Sequence, residues 1–128
     1  MILLDTSVLI DSLTSPGRSA ASLRRAIADG ERILVPTLVL YEWLRGPRRP
    51  EELAAQEALF PRESAVPFAA AEAALAAGLY ARLRKARGRE IDLALAACAL
   101  VRNATLWTLN TEDFDDIPDL EVSAPEPT

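Results

Sequence analysis

Four carboxylates carry the chemical promise of this chain: Asp5, Glu42, Asp92 and Asp113. Three of them stand where a predicted strand or turn gives way to a helix or a loop, and the fourth lies on the margin of an apolar helix face. The chain contains no histidine. That removes Ser-His-Asp and Cys-His nucleophiles, histidine general bases and every His-containing zinc site. Chemistry here must run on carboxylates. Several acids that converge cannot all ionise unless a cation compensates them, and an all-oxygen donor set selects Mg²⁺ or Mn²⁺ over zinc. Such a centre suits phosphoryl chemistry, where the cation lowers the pKa of a bound water, orients the phosphate and neutralises the leaving oxygen.

Each acid also has a plainer role open to it. Asp5 follows the apolar run Ile2-Leu3-Leu4 and should emerge at a sheet edge, but it could equally cap the next helix through the amides of Ser7 or Val8. Glu42 has Leu38 and Val39 one turn before it. A carboxylate at such a margin is costly unless paired or metal-bound, and Arg45 at i+3 offers a salt bridge instead. Asp92 opens a helix whose inward positions are Leu95, Ala96, Ala99 and Leu100. An acid there also suits the helix dipole, although Glu90 can serve that purpose from a more exposed position. Asp113 lies in the polar loop Asn110-Thr111-Glu112-Asp113-Phe114-Asp115-Asp116, where solvation alone would account for it.

The elements that must position these acids alternate in type. Ile2 to Leu4 predicts a buried strand, and Val8 to Leu13 a helix. Ser19 to Asp29 predicts an amphipathic helix closed by Gly30, Arg32 to Val35 a second strand, and Thr37 to Arg45 a helix stopped at Gly46-Pro47. Glu51 to Phe60 reads as a short helix, Ser64 to Val66 as a weak third strand, and Ala69 to Arg87 as a long helix meeting Gly88. Ile91 to Val101 predicts a helix buried on most sides. Thr105 to Leu109 reads as a fourth strand and Glu121 to Ser123 as a last one. This order predicts an α/β/α sandwich with a mostly parallel sheet of four to five short strands, forming one domain over 1–124 with a frayed tail at 125–128. In such sheets ligands bind beyond the carboxyl ends of the strands, near the point where strand order reverses.

Composition limits the setting. No apolar run approaches the ~20 residues of a membrane span, and the N-terminus lacks the basic leader and long apolar stretch of a signal peptide. A cytoplasmic protein with no membrane partner is the expectation. Cys98 sits in an apolar run as a small core residue. The net charge of −5 is local: residues 112–128 hold seven acids and no base, leaving the first 111 residues at +2. Thirteen of the 14 cations are Arg, whose planar fork matches phosphate, although base composition could produce the same bias.

Four stretches together resemble the PIN-domain nucleases, specifically the VapC-like toxins of bacterial toxin–antitoxin pairs. Asp5-Thr6-Ser7-Val8-Leu9-Ile10 is similar to the family's opening strand–Asp–Thr/Ser motif. Glu42-Trp43-Leu44-Arg45-Gly46 is similar to its second, a Glu followed four residues later by Gly. Asp92-Leu93-Ala94-Leu95-Ala96-Ala97 and Thr108-Leu109-Asn110-Thr111-Glu112-Asp113-Phe114 resemble the third and fourth. Trp43 is bulkier than the aliphatic residue usual there, and Glu112 or Asp115 could replace Asp113 as the fourth acid. The resemblance implies an α/β/α fold and a metal-dependent endoribonuclease with a cognate antitoxin, commonly a homodimer. It implies Asp5, Glu42, Asp92 and Asp113 as catalytic and metal-holding acids for Mg²⁺ or Mn²⁺, with Thr6 and Asn110 as polar supports. Five cations between Arg82 and Arg89 stand before the Asp92 helix, so Arg87 and Arg89 become candidates for RNA phosphates; completing a helix C-terminus is their other role.

Two alternatives have different signatures. Haloacid-dehalogenase-like phosphatases need a second Asp two residues after the first, where this chain has Ser7. A non-catalytic PIN-like module that binds RNA or protein could keep the same acids without turnover.

Overall fold

The computed structural model describes residues 1–14 and 16–126. Its sheet has four strands, all parallel, in the order β2-β1-β3-β4: β1 Ile2–Leu4, β2 Ile33–Leu34, β3 Thr105–Trp107 and β4 Val122–Ser123. Between them run α1 Thr6–Leu13, α2 Ala20–Ala28, α3 Thr37–Arg45, α4 Pro50–Leu59, α5 Ala70–Arg82 and α6 Glu90–Arg102.

Side-chain alternation along the strands makes three layers. Leu3, Leu34 and Leu106 face one core, with Leu79 of α5 and Leu93, Ala96 and Ala99 of α6. Ile2, Leu4 and Val35 face the other, with Val8 and Leu9 of α1, Leu23 of α2, and Val39 and Trp43 of α3. All three residues of β1 are buried, as a central parallel strand requires. Trp43 is fully buried. Its ring is covered by the Arg48 guanidinium at 4.3 Å, and that side chain also donates to the Trp43 carbonyl at 2.9 Å.

Two sequence expectations are corrected. The long helix expected over Ala69–Arg87 stops at Arg82, and Leu83 takes an extended backbone. A continued helix would stack Arg82, Arg84, Lys85, Arg87 and Arg89 at repulsive i+3 and i+4 spacings; the turn instead buries Ala86 and packs Leu83 on the core. The strand expected at Ser64–Val66 is a single 3-10 turn, Arg62–Ser64, followed by one parallel bridge from Val66 to Pro36. Proline has no amide to donate, so the ladder cannot lengthen there. The tail expected to fray over 125–128 is described only at its start, where Pro125 is buried and the Glu126 carbonyl accepts from the Ser22 hydroxyl. Pro127 and Thr128 lie outside the described residues.

Among the described residues no helix is long and apolar enough to cross a membrane. Cys98 is buried and free, and burial pushes its thiol up to about 11.

Candidate active site

β1 runs outward to one side of the sheet through β2 and to the other through β3, so strand order reverses beside it. Asp5 stands at its carboxyl end. The residue caps α1, its carbonyl accepting from the amides of Val8 and Leu9 at 3.1 and 3.2 Å. The residue is only 8% exposed, and its carboxylate collects three donors: the Thr6 amide on Oδ1 at 2.7 Å, and the hydroxyls of Ser7 and Thr108 on Oδ2 at 3.1 and 2.6 Å. The side-chain capping bond therefore goes to Thr6, rather than to Ser7 or Val8.

Thr6 joins the second acid to the first. Its hydroxyl donates to Glu42 Oε1 at 2.7 Å, so this one residue of α1 grips Asp5 through its amide and Glu42 through its hydroxyl. The alternative partner, Arg45, reaches Oε2 at only 3.4 Å from a largely exposed side chain.

Asp92 lies in the first turn of α6, half-buried. Burial, then the charges of Asp5 and Asp113 and more weakly that of Glu42, push its carboxyl up to about 6, while Arg89 opposes them. Asp5, Asp113 and Glu42 therefore each lie within electrostatic reach of Asp92. Asp113 is exposed on the 3-10 turn Thr111–Phe114, its amide bonded to the Asn110 carbonyl at 3.0 Å. Asn110 is exposed as well, and its own amide bonds the Thr108 hydroxyl at 3.1 Å.

Among the described residues no three His, Cys, Asp or Glu side chains form a ready metal cage. The donor chemistry nonetheless fits a hard cation. Mg²⁺ keeps several of its waters and takes only one or two carboxylates directly, and the repulsion written into Asp92 is what a cation relieves. The acids would hold such an ion partly through water.

Sequence reasoning missed Thr108 and Ser7. Both lie inside stretches singled out for other residues, and their roles come from register: Leu4 pairs with Trp107, so the next residues, Asp5 and Thr108, stand side by side. Ser7 also accepts from the Leu109 amide at 3.1 Å, stitching α1 to the segment after β3. Arg87 is exposed, as a phosphate contact requires. Arg89 is otherwise engaged. Its guanidinium forks the Asp116 carboxylate at 2.7 and 2.9 Å and donates to the Asp113 carbonyl at 2.9 Å. Arg84, Lys85 and Arg89 face Glu112, Asp113, Asp115 and Asp116 across an open cleft of about 520 Å³.

The PIN domain family matches residues 2–120. Ribonuclease VapC19 of Mycobacterium tuberculosis (strain CDC 1551 / Oshkosh) is 36% identical over 126 residues, covering 94% of this chain and 98% of that protein. The fold is similar to that of VapBC2 from Rickettsia felis bound to a promoter DNA fragment, with a TM-score of 0.78 at 22% identity, covering 98% of this chain and 100% of that one. It is also similar to DNA-bound VapBC from Salmonella typhimurium, with a TM-score of 0.80 at 21% identity and 96% of each chain covered. With a match that takes in all four acids, and a relative aligned over 94% of this chain, the chain belongs to the PIN-domain family.

Proposed function

We propose that this chain is a metal-dependent endoribonuclease that hydrolyses RNA phosphodiesters at Asp5, Glu42, Asp92 and Asp113, and that it is the toxin of a toxin–antitoxin pair. The observation that carries the reading is Asp92, held near pH 6 by burial and by three other acids drawn from distant parts of the chain. A PIN-domain relative named as a ribonuclease supports it, as do neighbours in fold that are VapBC complexes.

A bound Mg²⁺ or Mn²⁺ supplies a water of lowered pKa and charge neutralisation at the leaving oxygen. The chain supplies the rest. Asp5, fixed by three donors, and Glu42, fixed by Thr6, form the rigid half of the cluster. Asp92 and Asp113 form the other half, on α6 and on the turn after β3, with Asn110 holding the Asp113 amide. Arg87, with Arg84 and Lys85 on the adjoining cleft, is assigned to RNA phosphates.

The assigned partners are RNA, a cognate antitoxin and a second copy of the chain, in the cytoplasm. An apolar cleft of about 370 Å³ between α5 and α6, lined by Phe68, Ala73, Ala76, Ala77, Tyr80 and Leu93, supports a protein partner. Incubating the purified chain with RNA in Mg²⁺, and again in excess chelator, tests the reading. Cleavage only with the cation is expected. Undiminished cleavage in chelator would remove the metal, and RNA bound but left intact in Mg²⁺ would make the chain a non-catalytic binding module.

A further inference from the structure

We propose that Arg89 and Asp116 form a clasp that fixes the separation of the Asp92 and Asp113 carboxylates, which makes both of them positioning residues of the acid cluster. Its consequence for metal binding rests on the nuclease reading above; its geometry does not.

The two acids ride on elements of unequal stiffness. Asp92 is part of a 13-residue helix, whereas Asp113 sits exposed on a four-residue 3-10 turn. Phe114 and Ile117 anchor that loop on its inner side. On the outer side the loop is crowded with Glu112, Asp113, Asp115 and Asp116, and it faces Asp92. Like charges therefore press the loop away from the start of α6.

Arg89 opposes that pressure from a favourable position. It is the N-cap residue of α6, three residues before Asp92. One face of its guanidinium makes two parallel bonds to Asp116, at 2.7 and 2.9 Å. The same group reaches the backbone carbonyl of Asp113 itself at 2.9 Å, and the Lys85 carbonyl at 3.2 Å. A planar fork that holds a carboxylate in this way adds direction to attraction, which an ammonium group cannot do. The Arg89 side chain is only 20% exposed, whereas that of Asp116 is 44% exposed, so the guanidinium is shielded and the carboxylate end stays open to solvent. A role for Arg89 in gripping RNA would require these bonds to break first.

The test uses the full-length chain and the variants Arg89→Gln, Asp116→Asn and both together. Mn²⁺ binding is measured by calorimetry, and hydrogen exchange by mass spectrometry over residues 111–117. The clasp predicts that both single variants, though they change charge in opposite directions, raise the Mn²⁺ Kd by about tenfold, as loss of outer-shell support commonly does. Both should speed exchange across the same amides, and the double variant should be no worse than either. Asp116 is the more exposed partner, so its Asn form keeps a folded arm available. If Arg89→Gln tightens Mn²⁺ while Asp116→Asn weakens it, simple charge accounts for both and the clasp is overturned. Additive effects, or unchanged exchange, overturn it as well. A parent chain that takes up no Mn²⁺ would remove the nuclease reading, and the exchange data alone would then judge the clasp.

Discussion

The Thr108 hydroxyl donates to Asp5 Oδ2 at 2.6 Å, across 103 residues of sequence and with Thr108 wholly buried. The bond ties the ends of the two central strands and aims the Asp5 carboxylate. Thr108→Val keeps the shape and removes the donor. The expected cost is about 1.5–3 kcal/mol, the usual scale for a hydrogen bond to a charged group, together with a large loss of RNA cleavage. Thr108→Ser restores most of both. Chemical denaturation and a cleavage assay check this, and a valine variant as stable and active as the parent would free Asp5 from Thr108.

Asp92→Asn should abolish cleavage and yet stabilise the metal-free protein. The folded carboxyl titrates near 6 against an ordinary value of 3.8, so the folded state holds its proton more tightly than the unfolded one. Stability from this group is then greatest below the unfolded value, declines as pH rises between the two, and stays reduced above 6. Melting curves should show parent and variant alike near pH 4, with the variant melting higher at pH 7 and above. A variant that melts lower at neutral pH and still cuts RNA would return Asp92 to an ordinary helix-terminus role.

Mn²⁺ should raise the melting temperature of the parent, because a ligand that binds only the folded state stabilises it by mass action, by about 2.7 kcal/mol at a hundred times Kd. Asp92→Asn should gain much less. Equal shifts in the two chains would place the ion elsewhere.

Glu72, in the first turn of α5, pairs with Arg102 in the last turn of α6 at 2.9 Å. The Arg102 hydrogen bond holds the Glu72 carboxyl below its ordinary value of 4.5. That contribution is present above the ordinary value and is lost as pH falls through the lowered folded one. Glu72→Gln should therefore melt below the parent at pH 7, with the gap closing in acid. A gap that persists unchanged at pH 2 would assign the loss to packing.

The four acids could be singled out in the sequence because periodicity marks their places: the end of Ile2–Leu4, the margin of the Thr37–Arg45 face, the start of a buried helix and the loop after a strand. The sheet's parallel character was legible from the alternation of short strands with helices. Strand order was not, because nothing local says that β1 pairs with β3 a hundred residues away, and Thr108 could not be found without that register. The partner of Arg89 was hidden for a related reason. Its neighbours Arg82 to Arg87 suggest a cationic patch, whereas its partner Asp116 is visible only once the loop after β3 has folded back on α6.

The placement of β1 between β2 and β3 bears on when the site can exist during synthesis. β1 is made well before its neighbour β3, so a fragment that stops short of β3 cannot complete the sheet. Pairings this distant form late, since the entropy of closing so long a loop must be met before any contact compensates it. Asp5 and Glu42 are made well before Thr108 and Asp113. A chain cut short before β3 would therefore carry Asp5, Glu42 and Asp92 without the strand beside which Asp5 is aimed.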